Sequence, residues 1–109
     1  MMKILKNILD IERCIKENNF VILYFSNESC EVCNVLKSKV DKIVNSYEKL
    51  KSFKIEINDC KEVISRYDIF DIPTVVFYID GKEVLRERRY INLSELDKKI
   101  NIYYNLCNR

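Results

Sequence analysis

From Val21 to Phe25 every residue is apolar, whereas over most of the chain apolar and charged residues interleave closely. An unbroken run of this length reads as a central strand covered on both faces. Upstream, Ile4, Ile8, Ile11 and Ile15 recur at helical spacing, and Lys3-Ile4-Leu5 suits a short first strand. The pattern predicts that strand and then a helix from about Asp10, whose side chain would cap the first turn. After the central run, Ser29 is positioned to cap a helix with a buried stripe of Val32, Leu36, Val40, Ile43, Val44 and Tyr47, running to about Lys49. Phe53 to Ile57 alternates and ends in Asn58-Asp59, a strand followed by a turn. Asp59 with Glu62 reads as a capping box for a short helix through Val63, Ile64 and Tyr67. Thr74 to Ile79 is β-branched and aromatic, and Asp80-Gly81 signals a hairpin into an antiparallel edge strand, Glu83 to Tyr90. Asn92 and Glu95 cap a last helix carrying Leu93, Leu96, Ile100, Tyr103 and Cys107.

The order β-α-β-α-β-α-β-β-α implies an α/β fold, a mixed central sheet with helices on both faces. With 109 residues, the chain is expected to form one domain spanning 1–109. A net charge of +2 is too small to suggest nucleic acid or a membrane surface as partner. No apolar stretch approaches the ~20 residues that span a bilayer. The segment Met1 to Asn19 lacks a signal-peptide core, so the expected location is the cytoplasm. Thiols are held reduced there, and a close cysteine pair is more often catalytic or metal-binding than a staple.

Five cysteines, Cys14, Cys30, Cys33, Cys60 and Cys107, contain only one tight spacing, and histidine is absent. Cys30 and Cys33 fall where the central strand gives way to a helix, the sequence form of a dithiol/disulfide switch. The helix end favours a thiolate at Cys30, although its dipole supplies only about 0.3–1 kcal/mol, less than one pKa unit. Glu31, a nearby carboxylate, works the other way. Cys30 would attack a substrate disulfide, and Cys33, deeper in the helix, would resolve the mixed disulfide. The same pair could be half of a zinc site, which would need a second close pair or histidines. Cys14 and Cys107 read as filler in amphipathic helices.

The strand Val21–Phe25, the Cys30-Glu31-Val32-Cys33 motif, Ile72-Pro73-Thr74, the Asp80-Gly81 hairpin and the terminal helix together make the chain resemble the thioredoxin family. That resemblance covers nearly all of the sequence and implies a thioredoxin-like fold. It implies a cis bond before Pro73, the chain's only proline, with Pro73 against the redox pair and Ile72 offering its backbone to the substrate chain. Lys54 falls where the family often carries a lysine on its third strand. The family's buried aspartate, which helps move the second cysteine's proton, is replaced by Tyr24. Since tyrosine is a poor base at neutral pH, a water, Lys54 or Glu31 would have to assist. The small glycine before the last helix is replaced by Tyr90 or Ile91, which should reshape the substrate groove. Cys60 matches an extra cysteine of animal thioredoxins. There it would lie on the redox pair's side of the sheet, either as a packed small residue or as a third thiol modulating the pair.

The resemblance implies a cytoplasmic, monomeric thiol–disulfide oxidoreductase that reduces protein disulfides. It would bind no cofactor, its electrons being carried by the Cys30–Cys33 couple, and a flavin- and NADPH-dependent reductase would regenerate it. The partners expected are disulfide-containing proteins and that reductase, with neither nucleic acid nor membrane. Two alternatives stay open: an adaptor module on the same fold with little turnover, and a metal-binding thiol protein.

Overall fold

A computed structural model describes residues 2–108; Met1 and Arg109, the ends of the expected domain, lie outside the described residues. Five strands, β1 (Lys3–Leu5), β2 (Phe20–Ser26), β3 (Leu50–Glu56), β4 (Thr74–Ile79) and β5 (Lys82–Arg88), form one sheet in the order β1-β3-β2-β4-β5. β2 is central, parallel to β3 and antiparallel to β4. Four helices cover the sheet: α1 (Ile8–Glu17), α2 (Glu31–Asn45), α3 (Glu62–Arg66) and α4 (Leu93–Cys107).

The unbroken apolar run of β2 is explained by burial on both sides. Phe20, Ile22 and Tyr24 pack with Val40 and Val44 of α2 and with Leu96 and Ile100 of α4. Val21, Leu23 and Phe25 face the opposite way, onto Ile11 of α1 and Val63 of α3, with Ile55 of β3 beside them. Each such buried aliphatic or aromatic side chain contributes about 1.5–3 kcal/mol relative to leaving it in water.

Several helix ends differ from the sequence reading. Asn7, not Asp10, caps α1: its Oδ1 accepts from the Asp10 amide at 2.9 Å, while Asp10 Oδ2 accepts from Asn7 Nδ2 at 3.0 Å. α2 stops at Asn45 rather than Lys49, because the Ser46 amide and hydroxyl both donate to the Ile43 carbonyl and tighten the last turn. Asp59 does not cap α3, since its own amide closes a turn onto the Glu56 carbonyl at 3.0 Å and the first helical acceptor is Cys60. Asn92 does cap α4, accepting from the Glu95 amide at 3.0 Å. In α4 the buried side is Leu96, Ile100 and Tyr104; Cys107 shares that side by spacing but is the last residue of the helix, and it is exposed, not filler. In α2, Val32 is 65% exposed, because Cys33 rather than Val32 starts the inward stripe.

The hairpin between β4 and β5 turns at Asp80 and Gly81, both at positive φ (49° and 83°), as a two-residue turn of this hand requires. β5 ends at Arg88, two residues earlier than expected. Arg89, at φ 64°, leaves the strand and donates its amide to the Pro73 carbonyl at 2.8 Å.

Candidate active site

The loop from Ser26 to Cys30 carries the chain from the end of β2 into α2, and Asn27 organises it. Asn27 Oδ1 accepts from the Ser29 amide at 3.0 Å and from the Ser29 hydroxyl at 2.8 Å. The Asn27 carbonyl accepts from the Cys30 amide at 2.9 Å, and Asn58 donates to Asn27 Oδ1 from the end of β3 at 3.3 Å. Ser29 is thereby engaged inside the loop and does not cap α2. Cys30 takes that place in extended backbone, its Sγ accepting the Cys33 amide at 3.2 Å. The attacking sulfur expected from the sequence therefore sits directly on a free helix-end N–H, the kind of contact that favours a thiolate beyond the dipole alone.

Cys30 and Cys33 are joined as a disulfide, with Cα atoms 5.2 Å apart. Cys30 is half-buried and Cys33 is wholly buried. One residue of the pair is thus partly open to solvent while the other lies beneath the first turn of α2.

Below that turn lies Tyr24, fully buried, whose hydroxyl donates to the Cys33 carbonyl at 2.5 Å. Burial pushes its phenol well above the ordinary range, so it stays a neutral donor. Lys54 pairs with Tyr24 across β2 and β3 and is half-buried on the same face. Glu31 is exposed in the first turn of α2.

The Ile72–Pro73 bond is cis. Phe25 pairs with Thr74, so the antiparallel register carries Pro73 alongside Ser26, where the loop to Cys30 departs. Pro73 is buried and Ile72 half-buried. The segment is pinned from both sides. The Thr74 hydroxyl donates to the Asp71 carbonyl at 2.5 Å, and Arg88 and Arg89 approach the Asp71 carboxylate at 4.0 and 3.6 Å.

Beside the pair runs a shallow apolar groove between α2 and the loop before α4. Val32, Leu36, Tyr90 and Ile91 line it, with Val35 and Leu93 extending it. Tyr90 is 90% exposed on its rim, with the Arg89 guanidinium 5.8 Å from its ring. The residues expected to reshape the groove are the ones that build its far wall.

Cys60 is buried, but on the sheet face opposite Tyr24, packed with Cys14, Ile11 and Val63. The expectation that it shares the redox pair's side is corrected: it points into the core between the sheet, α1 and α3. Two residues escaped the sequence reading. Asn27 left one signal, an Asx two positions before a serine amide it can accept from. Glu56, on β3, is buried with neither carboxylate oxygen hydrogen-bonded. Among the described residues no group of three His, Cys, Asp or Glu side chains is gathered as a metal site.

A half-buried and a buried cysteine coupled at a helix start, a cis-proline segment leading into the neighbouring strand, and a five-stranded mixed sheet beneath them define a thiol–disulfide exchange protein. A thioredoxin family profile matches residues 8–101. The thioredoxin-like protein YdfQ of Bacillus subtilis is 30% identical over 102 residues, covering 94% of this chain and 91% of that protein. Thioredoxin of Mycoplasmoides gallisepticum is 26% identical, covering 87% and 95% of the two chains. Among solved structures, Plasmodium falciparum thioredoxin superposes with a TM-score of 0.84 at 25% identity, over 94% of this chain and 99% of that one. Fasciola hepatica thioredoxin gives 0.83 at 26% identity, over 93% and 98%. The chain belongs to the thioredoxin family, and its chemistry is that of a thiol–disulfide oxidoreductase.

Proposed function

We propose that this protein reduces protein disulfides, with Cys30 as attacking thiolate and Cys33 as resolving thiol. The observation that carries this reading is the division of exposure within the pair: Cys30 is reachable and capped by a backbone N–H, while Cys33 is sealed from solvent. The Cys30 thiolate attacks one sulfur of a substrate disulfide, the other substrate sulfur leaves as a thiolate and is protonated, and a mixed disulfide forms. Cys33 then gives up its proton and attacks Cys30 Sγ, closing the Cys30–Cys33 bond and releasing the second substrate thiol. Two electrons pass from dithiol to substrate, with no bound cofactor in the path. A substrate strand would lie along the Ile72 backbone, with apolar side chains in the groove of Val32, Leu36, Tyr90 and Ile91. A reductase returns the electrons, a flavin- and NADPH-dependent enzyme being the one expected, and the setting is the cytoplasm.

Insulin reduction by dithiothreitol tests the reading. The chain is expected to accelerate precipitation of the insulin B chain, and Cys30→Ser to abolish that acceleration. Equal rates with the two proteins would refute it.

A further inference from the structure

Glu56 ends β3 with 6% of its surface exposed, and neither of its carboxylate oxygens has a hydrogen-bond partner. Its direct neighbour across β2 and β3 is Ser26, also buried, whose hydroxyl likewise has no partner. Buried polar groups left unpaired are few in native proteins, and a carboxyl group is among the costliest to leave so. Two of them side by side call for a role.

Strand alternation assigns the face. Tyr24 lies two residues before Ser26 on β2, Lys54 two residues before Glu56 on β3, and the register pairs them in turn. Side chains two apart share a sheet face, so Ser26 and Glu56 stand on Tyr24's side. α2 covers that side, since Tyr24 donates to the Cys33 carbonyl and Asp41 accepts from Ser52 further along β3. α2 runs back from the strand ends where Ser26 and Glu56 sit. Its first turn, with the buried Cys33, therefore starts over them.

Cys33 must lose a proton before it can attack Cys30 Sγ. Tyr24 cannot take it, because its hydroxyl is committed as a donor to the Cys33 carbonyl. We infer that Glu56 is the proton acceptor for Cys33, acting through a bridging water that Ser26 helps hold. The reaction balances: the thiol and the carboxylate become a thiolate and a carboxylic acid, and the thiolate closes onto Cys30 Sγ. The substrate sulfur leaves as a thiolate and takes a proton from solvent, and Glu56 returns its own proton to solvent. The ionisable groups on the elements that meet there are Tyr24 on β2, Lys54 on β3, Cys33 and, one turn further on, Lys37 in α2, and Lys6 just past β1. None of these lysines forms an ion pair with Glu56 among the described residues.

The inference rests on Cys33 being the resolving thiol, and one experiment separates the two. In a Cys107→Ser background, which removes the exposed third thiol, the reduced full chain is mixed in a stopped-flow instrument with an aromatic disulfide that releases a coloured thiolate. The first equivalent reports attack by Cys30 and the second reports closure by Cys33. Glu56→Gln is expected to leave the first phase unchanged and to slow the second about a hundredfold near neutral pH, the scale of a lost general base. That second phase should then recover about tenfold per pH unit toward the ordinary thiol pKa of about 8.5, as solvent takes over the proton. Glu56→Asp, which keeps the carboxylate, should show a flatter pH profile than Glu56→Gln, and it carries the test if the glutamine variant does not fold. A second phase within about twofold of the parent at every pH, or an equal loss in both phases, overturns the role of Glu56. Absence of any second equivalent from the parent protein would instead overturn Cys33 as the resolving thiol.

Discussion

The Tyr24 hydroxyl reaches up from the central strand and donates to the Cys33 carbonyl at 2.5 Å, so the floor of the sheet is bonded to the turn that holds Cys33. Tyr24→Phe removes that bond and nothing else of its bulk. Stability should fall by about 1 kcal/mol, read as a shift of the urea midpoint at constant slope. Insulin reduction should stay within about threefold, because a phenol pushed up by burial neither takes nor gives the reaction's protons. A loss of activity far beyond that would make Tyr24 an acid–base participant.

Burial pushes the Cys14 thiol from 9.0 up to about 11, with Asn18 partly opposing through a hydrogen bond. Its neutral form is favoured in the folded protein, so alkylation near pH 8 should label exposed Cys107 first and Cys14 far more slowly, as peptide mass spectrometry would show. The sign for stability follows. Between pH 9.0 and about 11 the unfolded chain loses this proton while the folded chain keeps it. Stability from Cys14 is complete below that window and declines as pH rises through it. Tyr78, also raised by burial, acts in the same direction at higher pH. A midpoint that rises with pH across the window would contradict this.

Val32 stands in the groove beside the pair and touches little of the core. Val32→Asp should change stability by no more than about 0.5 kcal/mol, as surface replacements do. The KM for a protein disulfide should rise severalfold, with kcat less affected, since a carboxylate in the groove weakens apolar binding before the chemistry begins. An unchanged KM would remove the groove from the account of substrate binding.

Asn92 holds the start of α4 through its side chain. Asn92→Ala should cost about 1 kcal/mol in chemical denaturation, the usual worth of an N-cap. Because α4 packs on the same cluster as Tyr24, the insulin assay should be preserved below the lowered transition. Equal stability of the two proteins would show that the cap contributes nothing.

Where burial is two-sided, the pattern of residues was decisive. Val21–Phe25 could only be an inner strand, and Asp80-Gly81 could only turn a hairpin, so element order, the sheet and the place of Cys30 and Cys33 were legible. Helix starts were not, because a chain offers several acceptors near each one. Asn7 and Asp10 both suit a cap, as do Ser29 and Cys30, and the choice falls to tertiary bonds such as those Asn27 makes. Glu56 was hidden for a different reason. Alternation in Phe53–Ile57 marks a polar face, but only the sheet order shows that β3 lies inside the sheet with α2 above it. The side to which Cys60 points follows from that same packing.

Cys30 is half of the disulfide and also caps the helix that carries it, which ties the state of that bond to local folding. A thiolate is a stronger acceptor than a bonded sulfur, so reduction tightens the very turn that carries Cys30. By linkage, strengthening that turn draws electrons toward this protein and away from its donor. Its redox poise is thus tunable from the backbone of one helical turn, with the dipeptide between the cysteines left as it is.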